Sequence, residues 1–279
     1  GAGPWVVRAY YADRQMVQAL VALLEPWEVH HDEGWLLAAA GPAQVRALLD
    51  LGFRLELDVA RTAELVSPRV AAAGQVAGIP GYPCYRTVEE TFAAAAALAA
   101  AYPGLATWTD VGDSWEKATA TDPDLPGYDL WVLRLTNQSL PGPKPKILIL
   151  ASIHAREYAP AELATRFAEH LAAGYGVDAD ITWLLDWHEI HLLLQGNPDG
   201  RKQAEAGSYW RKNTDRDDGC DDGTAYPDYQ YWGVDLNRNF EFAWGGPGAS
   251  TLPCYENYRG PAAASEPETV AVQAYLRAQ

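Results

Sequence analysis

The first 60 residues alternate between strand-like and helix-like patterns. Residues 5–11, which are rich in aromatic and β-branched residues, predict a strand. Residues 27–30 and 35–38 predict a hairpin around the DEG sequence at 32–34, and the period-two alternation of 53–59 predicts a fourth strand. Apolar residues at helical spacing predict helices over 16–24 and 42–49. The order β-α-β-β-α-β is that of ferredoxin-like domains. We therefore predict a small ferredoxin-like α+β domain at residues 1–66.

The remainder of the chain has a different pattern. Residues 67–83 are rich in Ala, Gly and Pro and lack periodicity, which predicts a linker. Beyond it, helices are predicted at 87–101, 159–172 and 179–187, and strands at 108–111, 130–135, 147–153 and 189–194. The continuous apolar run 147–153 predicts a strand buried on both faces. Loops are expected after Pro198, until a helix near 266–278. This alternation predicts a second, α/β domain over 84–279.

Composition and charge exclude several classes of function. The chain has 279 residues and a net charge of −16. Without a basic run, binding to nucleic acid or to an anionic membrane surface is disfavoured. The longest run of low polarity, 92–101, is far shorter than the roughly 20 residues that a membrane span needs. We expect a monomer that has neither nucleic acid nor a membrane as a partner.

The strongest local signal for chemistry is the end of the apolar strand at 147–153. His154, Arg156 and Glu157 follow it directly. In open α/β sheets, ligands bind at the carboxyl ends of strands. Because His154 and Glu157 are three residues apart, one turn of chain can aim both side chains at one point. Imidazole nitrogen and carboxylate oxygen are ligand types that zinc takes in proteins. The alternative to a metal site is that His154 is a structural histidine at a strand end and Glu157 a solvated surface residue.

Four later segments favour the metal interpretation. In chain order they are NPDG at 197–200, WRKN at 210–213, GVDLNRNF at 233–240, and ENYRG at 256–260 with SEPET at 265–269. In order and spacing, these motifs resemble those of the M14-type zinc carboxypeptidases, particularly bacterial secreted members similar to carboxypeptidase T. The resemblance covers the chain from about Cys84 onward. It implies an α/β/α fold with a mixed sheet, a zinc cofactor, peptide or protein C-termini as substrates, and a secreted or extracellular location.

The resemblance also implies roles for individual residues. His154 and Glu157 correspond to the first two zinc ligands. Arg211 corresponds to the guanidinium that stabilises the oxyanion, while Asn237 and Arg238 correspond to the pair that binds the substrate's C-terminal carboxylate. Arg156 corresponds to an accessory arginine beside the metal. A planar guanidinium suits such carboxylate binding, because it can donate two parallel hydrogen bonds.

Three further expectations rest on the same resemblance. The N-terminal domain is expected to act as a propeptide that covers the active site. Among the three cysteines, Cys220 and Cys254 are expected to form a disulfide and Cys84 to stay a free thiol. The acidic loop 215–222 offers oxygen ligands suited to calcium, although its spacing is not that of an EF-hand.

The third zinc ligand of the family is a histidine after the SEPET helix, and the catalytic glutamate lies further on. None of the six histidines here follows that helix. We therefore expect a chain truncated before both residues, with a sheet that lacks its later strands, weak zinc binding and no activity on its own. Two alternatives remain open: a related zinc amidohydrolase that removes acyl groups from N-acyl amino acids, and a non-catalytic binding module of the same fold.

Overall fold

The computed structural model describes residues 4–21, 23–67, 70–120, 122–220 and 232–279. These residues form two compact units: the first unit combines Gly1–Arg69 with Gly207–Ser265, and the second unit combines Val70–Ala206 with Glu266–Gln279. The strands are β1 (Trp5–Tyr10), β2 (Pro26–His30), β3 (Trp35–Ala40), β4 (Arg54–Leu57), β5 (Ala106–Asp113), β6 (Asp129–Leu135), β7 (Lys146–Leu150) and β8 (Glu189–Leu193). The helices are α1 (Arg14–Val21), α2 (Pro42–Asp50), α3 (Val59–Val66), α4 (Val88–Ala101), α5 (Trp115–Thr119), α6 (Tyr158–Gly174), α7 (Ala179–Trp187), α8 (Pro198–Glu205), α9 (Leu236–Asn239) and α10 (Pro267–Ala278).

The first unit contains an antiparallel four-stranded sheet with the strand order β2-β3-β1-β4. The predicted order β-α-β-β-α-β is confirmed, because α1 follows β1 and α2 follows β3. Inward-facing residues of β1 and β3 pack against Leu20, Leu48 and Phe53 to form one hydrophobic core. The strand predicted over 53–59 is shorter, since α3 begins at Val59. Asp58 caps that helix by accepting a hydrogen bond from the Arg61 amide at 3.0 Å.

The rest of the first unit is loop-rich, as predicted for residues beyond Pro198. Its one described helix is the short α9. The predicted disulfide between Cys220 and Cys254 is confirmed, and Cys84 is a free, exposed cysteine. This bridge closes a loop across a sequence separation of 34 residues, within which α9 lies.

The second unit contains a mixed sheet with the strand order β5-β6-β8-β7. β7 runs parallel to β8, whereas β5, β6 and β8 pair antiparallel. Apolar residues of α4, α6 and α7 pack with the strands to form the main core, including Leu98, Leu171 and Leu185. Gly112 in β5 allows close packing of α10, because a Cβ atom there would lie 2.6 Å from the Cβ of Ala271.

Two predictions about the second unit need correction. The apolar strand at 147–153 ends at Leu150, and it is not buried on both faces: β7 is an edge strand of the described sheet, with Ile147 52% exposed. The loop expected directly after Pro198 is instead helix α8, with Asn197 as its N-cap and proline in its first turn. Of the described helices, none is both long and apolar enough to cross a membrane.

Candidate functional site

The predicted metal-ligand pair lies on a loop between β7 and α6. The loop turns sharply at Ser152, whose φ of 55° is left-handed. Nδ1 of His154 lies 2.9 Å from Oε1 of Glu157, and the Glu157 amide donates to the His154 carbonyl at 3.1 Å. Glu157 occupies the N-cap position of α6, yet its side chain does not cap the helix. Its carboxylate is instead directed to the imidazole of His154.

The chemistry of this pair fits zinc. His154 is buried, with 6% exposure, whereas the Glu157 side chain is 41% exposed. A buried imidazole beside a more accessible carboxylate gives one nitrogen and one oxygen ligand within reach of a single ion. A catalytic zinc site uses three protein ligands. Among the described residues of the second unit, no third histidine, cysteine or carboxylate joins the pair in a three-ligand cluster. Arg156 lies on the same loop and is half-buried.

The other three predicted site residues belong to the first unit, where Asp235 organises them. Arg211 is buried and donates from Nε and Nη2 to Oδ2 of Asp235, at 3.3 and 3.0 Å. The other oxygen of the same carboxylate, Oδ1, accepts the Asn237 amide at 3.0 Å and so caps α9. Arg238 follows in the same helix and donates from Nε to the Gly248 carbonyl at 3.1 Å. One carboxylate thus joins the buried arginine to the turn that carries Asn237 and Arg238.

The segment around Arg211 is fixed by tight backbone packing. Gly233 has a φ of +94°, and a Cβ atom there would lie 2.4 Å from the Asn213 carbonyl oxygen. The neighbouring Lys212 is fully buried and donates from Nζ to the carbonyls of Pro253 and Tyr255, at 2.7 and 3.0 Å. Burial lowers the pKa of Lys212 to about 7. These contacts hold the Arg211 backbone against the segment that leads into α9.

A cavity of about 620 Å³ lies beside these cations. Arg211 and Arg238 line it together with Glu25 and Val21 of the N-terminal block, residues 4–67. The Glu25 carboxylate accepts a hydrogen bond from Nη1 of Arg211. The Val21 carbonyl accepts a second from Nδ2 of Asn257, at 3.1 Å. The N-terminal block therefore contacts Arg211, the predicted oxyanion-stabilising residue, and shares the lining of the cavity with Arg238, the predicted carboxylate-binding residue.

The predicted calcium loop at 215–222 is described only in part, because Asp221 and Asp222 lie outside the described residues. Oδ1 of Asp215 accepts the Asp217 amide at 2.7 Å, and burial raises the pKa of Asp215 to about 6. Calcium binding here stays a prediction.

Sequence reasoning missed three residues that the structure adds to the site. Asp235 was signalled only by its place before Asn237 and Arg238. Arg201 directly follows the NPDG motif at 197–200. Glu25 directly precedes β2 in the N-terminal block, and no local pattern linked it to Arg211, which lies almost two hundred positions further along the chain.

Comparison with known proteins identifies the family and the fold. The zinc carboxypeptidase family profile matches residues 92–279, which is more than half of the chain. Carboxypeptidase A2 of Rattus norvegicus is 38% identical over 140 residues, a match covering 50% of this chain and 31% of that protein. The chain thus matches about a third of the length of that curated relative.

Two solved structures resemble the whole chain. The carboxypeptidase A from Helicoverpa armigera has a TM-score of 0.73 and 23% sequence identity, with 99% of this chain and 66% of that chain covered. Thrombin activatable fibrinolysis inhibitor has a TM-score of 0.66 and 23% identity, with 99% of this chain and 68% of that chain covered. At this identity the likeness concerns the fold alone, and the chain shares the fold of these two proteins.

Proposed function

This chain belongs to the zinc carboxypeptidase family, and from that premise we propose that it carries part of a metallocarboxypeptidase active site, one that hydrolyses the C-terminal bond of peptides. The observation that carries this proposal is the convergence of His154 Nδ1 and Glu157 Oε1 to 2.9 Å at the end of β7. His154 and Glu157 would hold the zinc ion. When bound, zinc polarises the scissile carbonyl and acidifies a water molecule.

The arginines supply the substrate side of the proposal. Arg238, beside Asn237 on α9, lines the 620 Å³ cavity and is suited to bind the free carboxylate of a peptide C-terminus. Arg211 is held rigid by Asp235, so its charge is preorganised for the oxyanion that develops on the scissile carbonyl. Arg156 is proposed as a further cation beside the metal. Loss of one such preorganised donor costs about 3–4 kcal/mol of transition-state stabilisation.

The N-terminal block is proposed to act as an inhibitory propeptide. Support comes from its hydrogen bonds to Arg211 and Asn257 and from its share in lining the cavity that Arg238 also lines. Latency would end when the predicted linker at 67–83 is cut. A secreted, monomeric enzyme is the accompanying proposal, and the Cys220–Cys254 disulfide supports it because such bridges persist in oxidising compartments.

We further propose that residues 1–279 alone bind zinc weakly and do not catalyse hydrolysis. Within the described ranges of the second unit the pair supplies two ligands, and two protein ligands hold zinc less tightly than the three of a catalytic site. Zinc titration of this chain and of its His154→Ala variant tests the pair directly. The expected result is weak binding that H154A abolishes; tight stoichiometric zinc, or an H154A variant that binds like the wild type, contradicts it.

Hydrolysis is tested on the protein purified from its source cells or their medium. N-blocked dipeptides with a free C-terminus, the same dipeptides with an amidated C-terminus, and N-acyl amino acids are compared before and after cleavage of the linker. A carboxypeptidase prefers the first substrate and is faster after cleavage. Preference for N-acyl amino acids would instead favour a deacylase.

A further inference from the structure

Arg201 on α8 is one of the largest fully buried side chains of the second unit, with 0% exposure. Its guanidinium contacts the loop that carries the proposed metal ligands. Nη1 donates to the Glu157 carbonyl at 3.0 Å and to the Ser152 hydroxyl at 3.3 Å, and Nη2 donates to the Tyr158 carbonyl at 3.4 Å. One cation therefore joins both ends of the loop.

The rest of α8 holds the same loop. Nδ2 of Asn197, the N-cap residue of α8, donates to the Ile153 carbonyl at 3.3 Å. At the other end of the helix, the Tyr158 hydroxyl donates to the Ala204 carbonyl at 2.6 Å. The Tyr158 ring lies under the Arg201 guanidinium, 4.4 Å from its carbon to the ring centroid. Arg201 thus lies between two other contacts from the same helix to the loop.

We propose that Arg201 is a positioning residue, which holds the loop in the conformation that brings His154 and Glu157 together. This inference rests on the proposed function of that pair. The anchored Ser152 hydroxyl lies two residues before His154, and the anchored carbonyl belongs to Glu157 itself. The loop is therefore held to α8 at Glu157 and at the two residues that precede His154. Residues that do not touch the metal but hydrogen-bond to its ligands orient those ligands, and their loss typically weakens metal affinity about 10–100-fold.

The chemistry of arginine suits this task better than that of lysine. A guanidinium presents several donors in one plane, whereas an ammonium is a point charge that cannot span three acceptors spread over the loop. Burying a cation is costly, so it needs compensation. Glu205 lies 3.8 Å from Nε of Arg201, and burial lowers the Arg201 pKa only to about 10. The side chain therefore stays charged near neutral pH.

Hydrogen exchange followed by mass spectrometry tests the inference without a metal. The variants are R201K and R201M, with K202M as the matched control. Lys202 is the next residue of the same helix, and its described partners are Glu89 and Glu205 rather than the loop. We expect exchange across 152–158 to be at least about tenfold faster in both Arg201 variants and unchanged in K202M. Exchange in β8 should stay at the wild-type rate in all three.

Two further arms separate positioning from general stability. In R201A, added guanidinium ion should restore the protection of 152–158, whereas the same concentration of sodium chloride should not. Zn²⁺ affinity, measured by chelator competition, should fall about tenfold or more in R201K relative to K202M. Unchanged exchange in the loop, or acceleration spread evenly over the sheet, overturns the role of Arg201. A wild-type chain that binds no Zn²⁺ overturns the proposed metal pair instead, and the exchange result still decides the role of Arg201.

Discussion

The Glu25 carboxylate accepts a hydrogen bond from Arg211, the arginine that the sequence motifs single out for the reaction. Arg211 is 3% exposed and also pairs with Asp235, so its guanidinium lies between two carboxylates. Glu25 comes from the N-terminal block, and Asp235 comes from the motif that carries Arg238. A carboxylate at Arg211 competes with the negative charge that would otherwise bind there. This contact gives the proposed latency a specific chemical cause.

Replacing Glu25 by Gln should weaken the contact between the N-terminal block and Arg211. The side chain of Glu25 is 40% exposed, so we expect a loss of only about 1 kcal/mol in unfolding free energy after solvent screening. When E25Q is purified from the source cells, its uncut form should also hydrolyse peptides faster than the uncut wild type. Urea denaturation and a peptidase assay on E25Q measure the two effects. E33Q is the matched control, because the described partners of Glu33 are His30 and Trp35. Equal behaviour of E25Q and E33Q would contradict the assignment.

Much of the fold could be predicted because periodicity and capping residues are local signals. The helix predicted at 87–101 is α4, and its N-terminus has both hydrogen bonds of a capping box between Thr87 and Glu90, which are a local sequence signal for a helix start. Helix α8 was missed because its sequence is polar and Gly-containing; its Arg201 and Ala204 are buried through tertiary contacts that a local pattern does not reveal. The exposure of β7 was missed for a similar reason, since an apolar strand looks the same at the edge or the centre of a sheet.

The candidate site also contains residues with a local sequence signal and residues that only the fold reveals. His154, Glu157, Arg211, Asn237 and Arg238 could be proposed as site residues because each lies in a short motif whose order along the chain resembles that of a known family. The residues that hold them do not stand out in that way. Asp235 and Arg201 act through long-range hydrogen bonds, and such partners are determined by the fold rather than by spacing. The roles of these residues in catalysis, and the division at 67–83, stay predictions.

Removing the disulfide should destabilise the first unit. The bridge between Cys220 and Cys254 closes a loop with a sequence separation of 34, so the double variant with serine at both positions should lose about 3–4 kcal/mol in the chain-entropy model. Urea denaturation followed by tryptophan fluorescence measures the loss, and dithiothreitol should reproduce it in the wild-type protein. C84S is the control and should stay within about 0.5 kcal/mol of the wild type, because Cys84 is exposed and unbridged. A midpoint that does not move on reduction would refute this prediction.

The buried carboxyl of Glu268 should make stability fall as pH rises. Burial raises the pKa of Glu268, and the charges of Glu266 and Asp199 raise it further. The folded protein therefore keeps a proton that the unfolded chain releases near pH 4.3. The stabilisation is full below that pH and is lost progressively as the pH rises toward the folded pKa.

The variant E268Q carries a neutral side chain in the folded and in the unfolded state. Its side-chain oxygen can still accept the hydrogen bond that the Trp115 amide donates to Oε1 of Glu268 at 2.9 Å. We expect E268Q to be more stable than the wild type at pH 7, with a difference that shrinks as the pH falls to 5. Urea denaturation at several pH values measures this difference. A difference of constant size across the range would mean that the ionisation of Glu268 does not contribute.

Replacing Arg238 by Ala should mainly impair peptides with a free C-terminus. Arg238 lines the cavity and is oriented by hydrogen bonds to the carbonyls of Gly248 and Asn237, each at 3.1 Å. A substrate carboxylate left without this partner loses about 2–5 kcal/mol, which corresponds to a fall in kcat/KM of roughly 30-fold or more. Amidated peptides lack that charge, so their slow hydrolysis should change little. The two substrates should therefore be cleaved at similar, low rates by R238A.

The measurement uses the source-purified enzyme after cleavage of the linker, with matched free and amidated dipeptides. R238K should recover only part of the preference, because lysine restores the charge but not the planar pair of donors. R259A is the matched control: the Arg259 guanidinium stacks on the Trp244 ring at 4.1 Å and does not line the cavity. Its preference for the free carboxylate should equal that of the wild type. An R238A enzyme that keeps this preference in full would place the carboxylate-binding group elsewhere.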